Sequence, residues 1–172
     1  MIVAVFGLPG SGKSYFARKL AERLEGTYIS SDSLRRELFN SPTYSHDEKL
    51  AVYRKMLAIM YDYLHRREPL VMDATFFTRE IRDPFNHEAE SIGCRIAWIE
   101  IRAEDTLIRT RLNVNRPESD ADYPIHLLIK KNFQPMRREH LTLDSTNENL
   151  DEMIKRALKY LEDFKPATTV KN

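Results

Sequence analysis

The chain has 172 residues, close to the size of one domain, and its hydrophobic content of 42% is ordinary for a folded globular protein. Lysine and arginine number 27 against 26 for aspartate and glutamate, so the net charge of +1 excludes a whole-molecule field that would gather polyanions. The apolar run over residues 1–6 is too short for a membrane span or a signal peptide, and the single cysteine excludes an intrachain disulfide. We expect a cytoplasmic chain with one domain over residues 1–165 and a frayed tail over 166–172.

Apolar strands alternate with amphipathic helices along the chain. Strands are predicted at residues 1–6, 27–30, 70–72, 95–101 and 141–143. Helices are predicted at residues 13–25, 34–39, 48–65, 78–91, 104–112, 125–139 and 147–164, and the helix at 125–139 should be interrupted near Pro135. This alternation predicts a three-layer α/β fold, in which a parallel sheet of about five strands has helices on both faces.

A glycine-rich loop follows the first predicted strand. Residues 7–14 (GLPGSGKS) fit the pattern G-x-x-x-x-G-K-[ST], and they lie between a strand and a helix as that pattern requires. Backbone N–H groups at a helix N-terminus can hold a polyphosphate only where side chains leave room for it. We therefore predict that Lys13 bridges the β- and γ-phosphates of a nucleotide and that Ser14 binds Mg²⁺. The predicted nucleotide-binding residues here are Gly7, Pro9, Gly10, Ser11, Gly12, Lys13, Ser14 and Tyr15.

Polar residues also follow the second and third predicted strands. The carboxyl ends of parallel strands meet at one edge of a sheet, so the residues after residue 30 should face the phosphates. Asp32 is the candidate general base for an acceptor hydroxyl, or else a helix N-cap, and Arg35 could hold a charge of the acceptor. Asp73 ends the third strand as a Walker B aspartate does, where it would orient Mg²⁺ or contact the acceptor, and Thr75 is a possible partner in acceptor binding.

A lid is predicted near residues 109–124, which include a polar connection with two prolines. Arg109, Arg111 and Arg116 could lay guanidinium groups over the transferring phosphoryl oxygens, or they could form an exposed basic helix end. Arg116 is the preferred catalytic lid arginine, and Arg111 is the second choice, as a nucleotide ligand.

These motifs, in this order and rough spacing, resemble the P-loop kinases grouped as ATPase-type predicted kinases, in particular the kinase domain of phage-type polynucleotide 5′-hydroxyl kinases. The resemblance runs from residue 1 to about residue 138, and it implies a P-loop NTPase fold with ATP and Mg²⁺ as cofactors. By this resemblance, Lys13 and Ser14 would bind ATP and Mg²⁺. Asp32 would act as the base, and Arg35 would bind the acceptor phosphate. Asp73 would help to hold the acceptor site, and Arg116 would reach the phosphates as the lid arginine. Zeta-toxin-like sugar-nucleotide kinases and small-metabolite kinases share much of this skeleton.

Three functions remain open from the sequence. The leading one is an ATP- and Mg²⁺-dependent kinase for a polynucleotide 5′-hydroxyl end, with Arg79 or Arg82 as further phosphate contacts and Phe76 or Phe77 stacking a base. For these four residues, a helix surface and core packing are the alternatives. The second function is a kinase for a small metabolite, nucleoside or sugar nucleotide, and the third is an ATP-gated binding module with slow hydrolysis.

Overall fold

The computed structural model describes residues 1–113 and 123–164. In chain order, the elements are β1 (Ile2–Phe6), α1 (Lys13–Arg23), β2 (Thr27–Ser30), α2 (Ser31–Leu38), α3 (His46–Arg66), β3 (Leu70–Asp73), α4 (Arg79–Ser91), β4 (Ile96–Arg102), α5 (Asp105–Leu112), α6 (Tyr123–Asn132), β5 (Leu141–Asp144), α7 (Leu150–Leu161) and a 3₁₀ turn (Glu162–Phe164).

All five strands are parallel and form one sheet in the order β2-β3-β1-β4-β5. The central strand is β1, in which Val3 pairs with Val71 of β3 on one side and with Ala97 of β4 on the other. The predicted fold class is confirmed. Since parallel strands end at the same edge, the loops after β1, β2 and β3 meet there, and this edge carries the predicted site.

The core lies on both faces of the sheet because β1 is apolar at every position. Ile2, Ala4 and Phe6 pack on one face against α3 and α4, and Val3 and Val5 pack on the other against α1 and α7. Every residue of β1 is buried, as expected for a central parallel strand. The first turn of α1 therefore follows a fully buried central strand.

The second helix begins earlier than predicted. It starts at Ser31, directly after β2, and its N-cap is Ser30, whose Oγ accepts a hydrogen bond from the N–H of Ser33 at 3.0 Å. The alternative prediction that Asp32 caps this helix is wrong. As a result, the carboxylate of Asp32 is not occupied in holding the helix end.

The sixth helix ends earlier than predicted, at Asn132 instead of residue 139. Tertiary contacts hold the following residues against the start of α4: the N–H of Gln134 donates to the Phe77 carbonyl, and the Arg82 guanidinium donates to the Gln134 carbonyl. Pro135 also disfavours helical backbone at Gln134. Within residues 1–113 and 123–164, no helix has both the length and the apolar character that a bilayer span requires.

Candidate active site

The glycine-rich loop connects β1 to α1 and leaves the start of that helix open. Gly12 is the N-cap residue of α1, it has a φ of +94°, and it offers no side chain to the first N–H groups. Those N–H groups point out of a helix N-terminus that favours negative charge. The local sequence thus builds an anion-binding turn at the end of the central strand.

The glycines of this loop also make room for protein atoms. A Cβ on Gly7 would collide with the backbone oxygen of Ile101, and one on Gly10 would come within 2.9 Å of the side chains of Ile108 and Leu112. The loop is therefore packed tightly against β4 and α5. From the sequence, these glycines were predicted only to leave room for the phosphates. The motif does not show which strand and helix pack against the loop.

Substituting Gly12 by alanine is expected to weaken ATP binding at least tenfold. A Cβ there would lie 2.9 Å from the Oγ of Ser145 and 3.1 Å from a guanidinium nitrogen of Arg111, and the positive φ adds strain. The measurement is the dissociation constant of ATP by titration calorimetry, together with the melting temperature.

Gly93→Ala is the matched control for Gly12→Ala. Gly93 also has a positive φ, +70°, but nothing lies within 4 Å of its added Cβ. It should lose about 1–2 kcal/mol of stability with unchanged ATP affinity. Equal affinities for ATP in wild type and Gly12→Ala would contradict the assignment of this turn.

The loop lies between two cavities. One, of about 510 Å³, borders α1 and the β5–α7 connection, and it is lined by Gly12, Ser14, Tyr15, Phe16, Arg18, Arg111, Ser145, Thr146, Asn147, Leu150 and Met153. The other, of about 250 Å³, lies at the ends of β2 and β3, and it is lined by Pro9, Lys13, Ser31, Asp32, Arg35, Tyr44, Lys49, Tyr53, Asp73, Thr75, Phe77, Ile125, Leu128 and Ile129. After the roles predicted above for their lining residues, we call the first the nucleotide cavity and the second the acceptor cavity.

Arg111 forms one wall of the nucleotide cavity. Its guanidinium donates hydrogen bonds to the carbonyl of Ser11 at 3.0 Å, to the carbonyl of Thr146 at 2.9 Å and to the Oδ1 of Asn147 at 3.1 Å. This side chain therefore joins the end of α5, the loop and the β5–α7 connection. Residues 145–147 were missed in the sequence, although a polar run directly after a strand was an available signal.

Asp32 and Arg35 face the acceptor cavity from adjacent turns of α2. One guanidinium nitrogen of Arg35 lies 3.5 Å from the Oδ1 of Asp32, and the guanidinium also stacks 4.7 Å from the centre of the Tyr44 ring. The Arg35 side chain is 9% exposed and that of Asp32 is 43% exposed. A buried cation thus orients a carboxylate that remains open to the cavity.

Asp73 is 3% exposed at the end of β3. Its Oδ2 accepts a hydrogen bond from the Tyr28 hydroxyl at 2.9 Å, whereas its Oδ1 is buried without a hydrogen-bond partner in the described parts of the chain. Burial raises the pKa of Asp73 above its usual value, and the Lys13 charge and the Ser14 hydroxyl oppose that rise.

Ser14 and Asp73 fit a Mg²⁺ ion by their chemistry. Mg²⁺ in phosphoryl-transfer sites takes few protein oxygens and fills its remaining positions with phosphate oxygens and water. The unpartnered Oδ1 of Asp73, next to the Ser14 hydroxyl, supplies such oxygens. No cluster of three or more His, Cys, Asp or Glu side chains that could hold a metal occurs within 1–113 and 123–164.

Asp73→Asn is expected to stabilise the ligand-free protein at neutral pH. The pKa of this carboxyl is raised on folding, so the folded state binds more protons, and its stability falls as pH rises from the unfolded pKa through the folded one. Asparagine keeps an oxygen for Tyr28 and removes the buried charge. We expect a gain of about 1 kcal/mol, or roughly 2–4 °C in melting temperature, that disappears at acid pH where both forms of the site are neutral.

The check is thermal unfolding of wild type and Asp73→Asn between acid and neutral pH. Asp62→Asn, an exposed change on α3, is the control and should follow wild type at every pH. A lower melting temperature for Asp73→Asn at neutral pH would mean that the ionised carboxylate is stabilising.

Several residues predicted to take part in the site are not placed in it by the structure. Arg116, residues 114–122 of the predicted lid and the tail over 166–172 are outside the described residues. Phe76 is buried in the core against Tyr53 and Trp98, so it does not stack a base. Arg82 is 2% exposed and holds the segment after α6, so it is neither a helix surface residue nor a phosphate contact.

The central parallel strand, the glycine-rich loop and the two adjoining cavities together define a P-loop nucleotide-binding domain. A family model described as AAA domain (AAA_33) matches residues 2–136. The chain belongs to that family.

Individual relatives cover nearly the whole chain. Shikimate kinase from Dehalococcoides mccartyi is 23% identical in an alignment of 167 positions that covers 94% of this chain and 94% of the relative. The crystal structure of a gluconokinase from Sinorhizobium meliloti covers 94% of this chain and 91% of its own, with a TM-score of 0.66 and 20% identity. The APS kinase CysC of Mycobacterium tuberculosis, in complex with AMPPNP and APS, covers 94% and 96%, with a TM-score of 0.69 and 19% identity. At these identities the two solved structures establish the fold.

Proposed function

We propose that this chain is an ATP- and Mg²⁺-dependent kinase that phosphorylates a hydroxyl group of a small metabolite. The predicted enzyme class, an ATP-dependent phosphotransferase with an alcohol acceptor, is confirmed by its kinase relatives. The choice of acceptor is the proposed part. It departs from the leading expectation of a polynucleotide 5′ end and adopts the alternative of a small-metabolite kinase.

One observation carries the proposal: Lys13 of the phosphate loop and Asp32 after β2 line the same cavity. The terminal phosphate held by the loop would therefore meet a hydroxyl in a cavity that also contains the Asp32 carboxylate. Effective catalysis of phosphoryl transfer needs mainly this positioning and the stabilisation of charge.

Each of these residues has its own role in phosphoryl transfer. Asp32 accepts the proton of the acceptor hydroxyl, and Arg35 fixes that carboxylate from the buried side. Lys13 neutralises charge on the transferring phosphoryl group. When bound, Mg²⁺ supplies further charge neutralisation, and Ser14 and Asp73 would hold it.

The size of the acceptor cavity supports a small acceptor. Its volume of about 250 Å³ is at or below the roughly 300–1,000 Å³ of pockets that hold drug-sized ligands. Hydrophobic side chains of α6, Ile125 and Leu128, close one side of it. The hypothesis of a polynucleotide acceptor is also weakened, because two of the residues predicted to contact the polynucleotide, Phe76 and Arg82, are buried. The relatives named above are kinases of shikimate, gluconate and APS by name, and none is named as a polynucleotide kinase.

The test is a screen of acceptors with γ-labelled ATP and Mg²⁺. The panel contains shikimate, gluconate, APS, simple sugars, nucleosides and an oligonucleotide with a free 5′-hydroxyl. We expect label in a small molecule and none in the oligonucleotide. Label in the oligonucleotide alone would reinstate the polynucleotide function, and ATP hydrolysis with no labelled acceptor would favour a binding module.

A further inference from the structure

The helix α6 has one buried side chain, and that side chain is polar. Of its ten residues, all of which the structure describes, only His126 is buried. Helices of globular proteins are normally fixed by an apolar face that packs on the core. In α6 the apolar residues Leu127 and Leu128 are instead exposed, by 48% and 63%. The position of this helix therefore depends to an unusual degree on its histidine.

His126 contacts the phosphate loop through a hydrogen bond. Its Nδ1 lies 3.0 Å from the carbonyl oxygen of Pro9. A carbonyl oxygen only accepts, so Nδ1 carries the proton and donates it. The ring also stacks on Tyr123, with the two centroids 5.6 Å apart and the planes 9° from parallel. The histidine is thus held in one orientation and, when neutral, in one tautomer.

The other ring nitrogen of His126 lacks a partner. Its Nε2 is buried and makes no hydrogen bond within residues 1–113 and 123–164. A buried polar atom without a partner costs free energy, and an apolar side chain at this position would avoid that cost. Packing stability alone therefore does not account for a histidine here, whereas a role for the bond to Pro9 does.

The phosphate loop is the firmly packed side of this contact. It lies against β4 and α5 at Gly7 and Gly10, where an added Cβ would collide with neighbouring atoms. The Arg111 guanidinium also donates a hydrogen bond to the Ser11 carbonyl. The sheet and α5 thus locate the loop, and α6 takes its position from the loop.

The contact between His126 and Pro9 also adjoins the acceptor cavity. Pro9 lines that cavity, and so do Ile125 and Leu128, which lie beside His126 on α6. A carbonyl oxygen of the phosphate loop therefore determines where one wall of the acceptor cavity lies.

We infer that His126 is a positioning residue, whose hydrogen bond to the Pro9 carbonyl sets the α6 wall of the acceptor cavity relative to the phosphate loop. The inference rests on the proposed function, which identifies that cavity as the acceptor site. A nucleotide that orders the loop then also orders α6, because the loop carries the hydrogen-bond acceptor.

Two variants of nearly the same shape isolate the hydrogen bond. His126→Asn places an amide N–H close to the position of the Nδ1–H group, and His126→Leu has no donor. Backbone hydrogen exchange over residues 123–132 is measured by mass spectrometry on the ligand-free proteins. We expect exchange to be about fivefold faster in His126→Leu than in His126→Asn, which is the size of effect that one hydrogen bond supports.

The control for these variants is Lys130→Gln. It removes the exposed ion pair of Lys130 with Asp105 on the same helix, so α6 should exchange as it does in the wild type. Exchange in α1 should be the same in all variants, which shows that each is folded. Equal exchange of α6 in His126→Asn and His126→Leu overturns the inference.

The same measurement with Mg²⁺ and saturating AMPPNP tests the link to the nucleotide. We expect AMPPNP to slow the exchange of α6 in the wild type and in His126→Asn, and to have no effect on α6 in His126→Leu. Titration calorimetry verifies that each protein binds AMPPNP. An equal nucleotide effect in the wild type and His126→Leu, or bound nucleotide with no effect on α6 of the wild type, contradicts the positioning role.

The wild type offers an independent measurement that needs no variant. The ¹⁵N spectrum of the histidine side chains should show a proton on the Nδ1 of His126. An unprotonated Nδ1 would mean that His126 does not donate to Pro9, and the inference would then be wrong.

Kinetics separates this role from the kinase proposal. With the acceptor found in the screen, His126→Leu should raise the KM of the acceptor about fivefold relative to His126→Asn, while the two variants bind ATP equally. Exchange of α6 that depends on His126, with no labelled acceptor, would contradict the kinase and leave the positioning role in place. A labelled acceptor with the same KM in both variants would contradict the positioning role and leave the kinase in place.

Discussion

Asp32→Asn is expected to lower the turnover number by a factor of about 10²–10⁴ while the affinity for ATP stays nearly unchanged. The carboxylate faces the acceptor cavity and is not used to cap α2, so its removal deletes a proton acceptor and leaves the phosphate loop intact. Asparagine has the same shape and keeps an oxygen near Arg35. The measurement is steady-state phosphoryl transfer to the acceptor found in the screen, with the ATP dissociation constant measured separately.

The matched control for Asp32→Asn is Asp62→Asn, which removes an exposed carboxylate from α3 and should leave turnover unchanged. A loss of ATP affinity as large as the loss of turnover would show that Asp32 acts on the nucleotide. The general-base role would then be wrong.

Lys13→Met should reduce turnover at least a thousandfold, by analogy with the size of other cationic contributions to phosphoryl transfer. Lys13 is the first residue of α1, and it lines the acceptor cavity, where the last phosphate of a loop-bound nucleotide would lie. Methionine preserves the length of the side chain and removes the charge. Single-turnover transfer and ATP binding are the two measurements.

Lys19→Met is the control for that change, because Lys19 lies on the same helix in an exposed pair with Glu22. Exposed pairs contribute little, so its activity should match wild type. The two site variants together decide between classes of protein. If Lys13→Met abolished ATP turnover and Asp32→Asn left it intact, no acceptor base would be needed, and an ATP-gated binding module would replace the kinase.

The phosphate loop and the order of the elements could be predicted because their signals are local. Alternating apolar strands and amphipathic helices fixed the class of fold, and the spacing of glycines with Lys13 and Ser14 placed the loop between β1 and α1. Asp32, Arg35, Asp73 and Thr75 follow strand ends, and topology alone brings them into one cavity with Lys13. The expected convergence at the edge of the sheet is what the structure shows.

The rest of the site depends on contacts between residues far apart in the chain. Lys49 and Tyr44 reach the cavity only because the loop before α3 folds back over α2, and no pattern in the sequence encodes that approach. From the sequence, Arg82 is expected on the surface of α4. In the structure the segment after α6 packs against it, and no local pattern indicates that contact. The identity of the acceptor is harder still to predict from the sequence, because it depends on the residues that line the acceptor cavity and not on the phosphate-loop motif.

The helix α6 contacts both the phosphate loop and the acceptor cavity. His126 is buried, with its Nδ1 3.0 Å from the carbonyl of Pro9 in the phosphate loop, and the adjacent Ile125 lines the acceptor cavity together with Leu128. A shift of this helix when the acceptor cavity is filled would change its contact with the phosphate loop. Thermodynamic reciprocity then requires donor and acceptor to tighten or loosen each other's binding by the same factor.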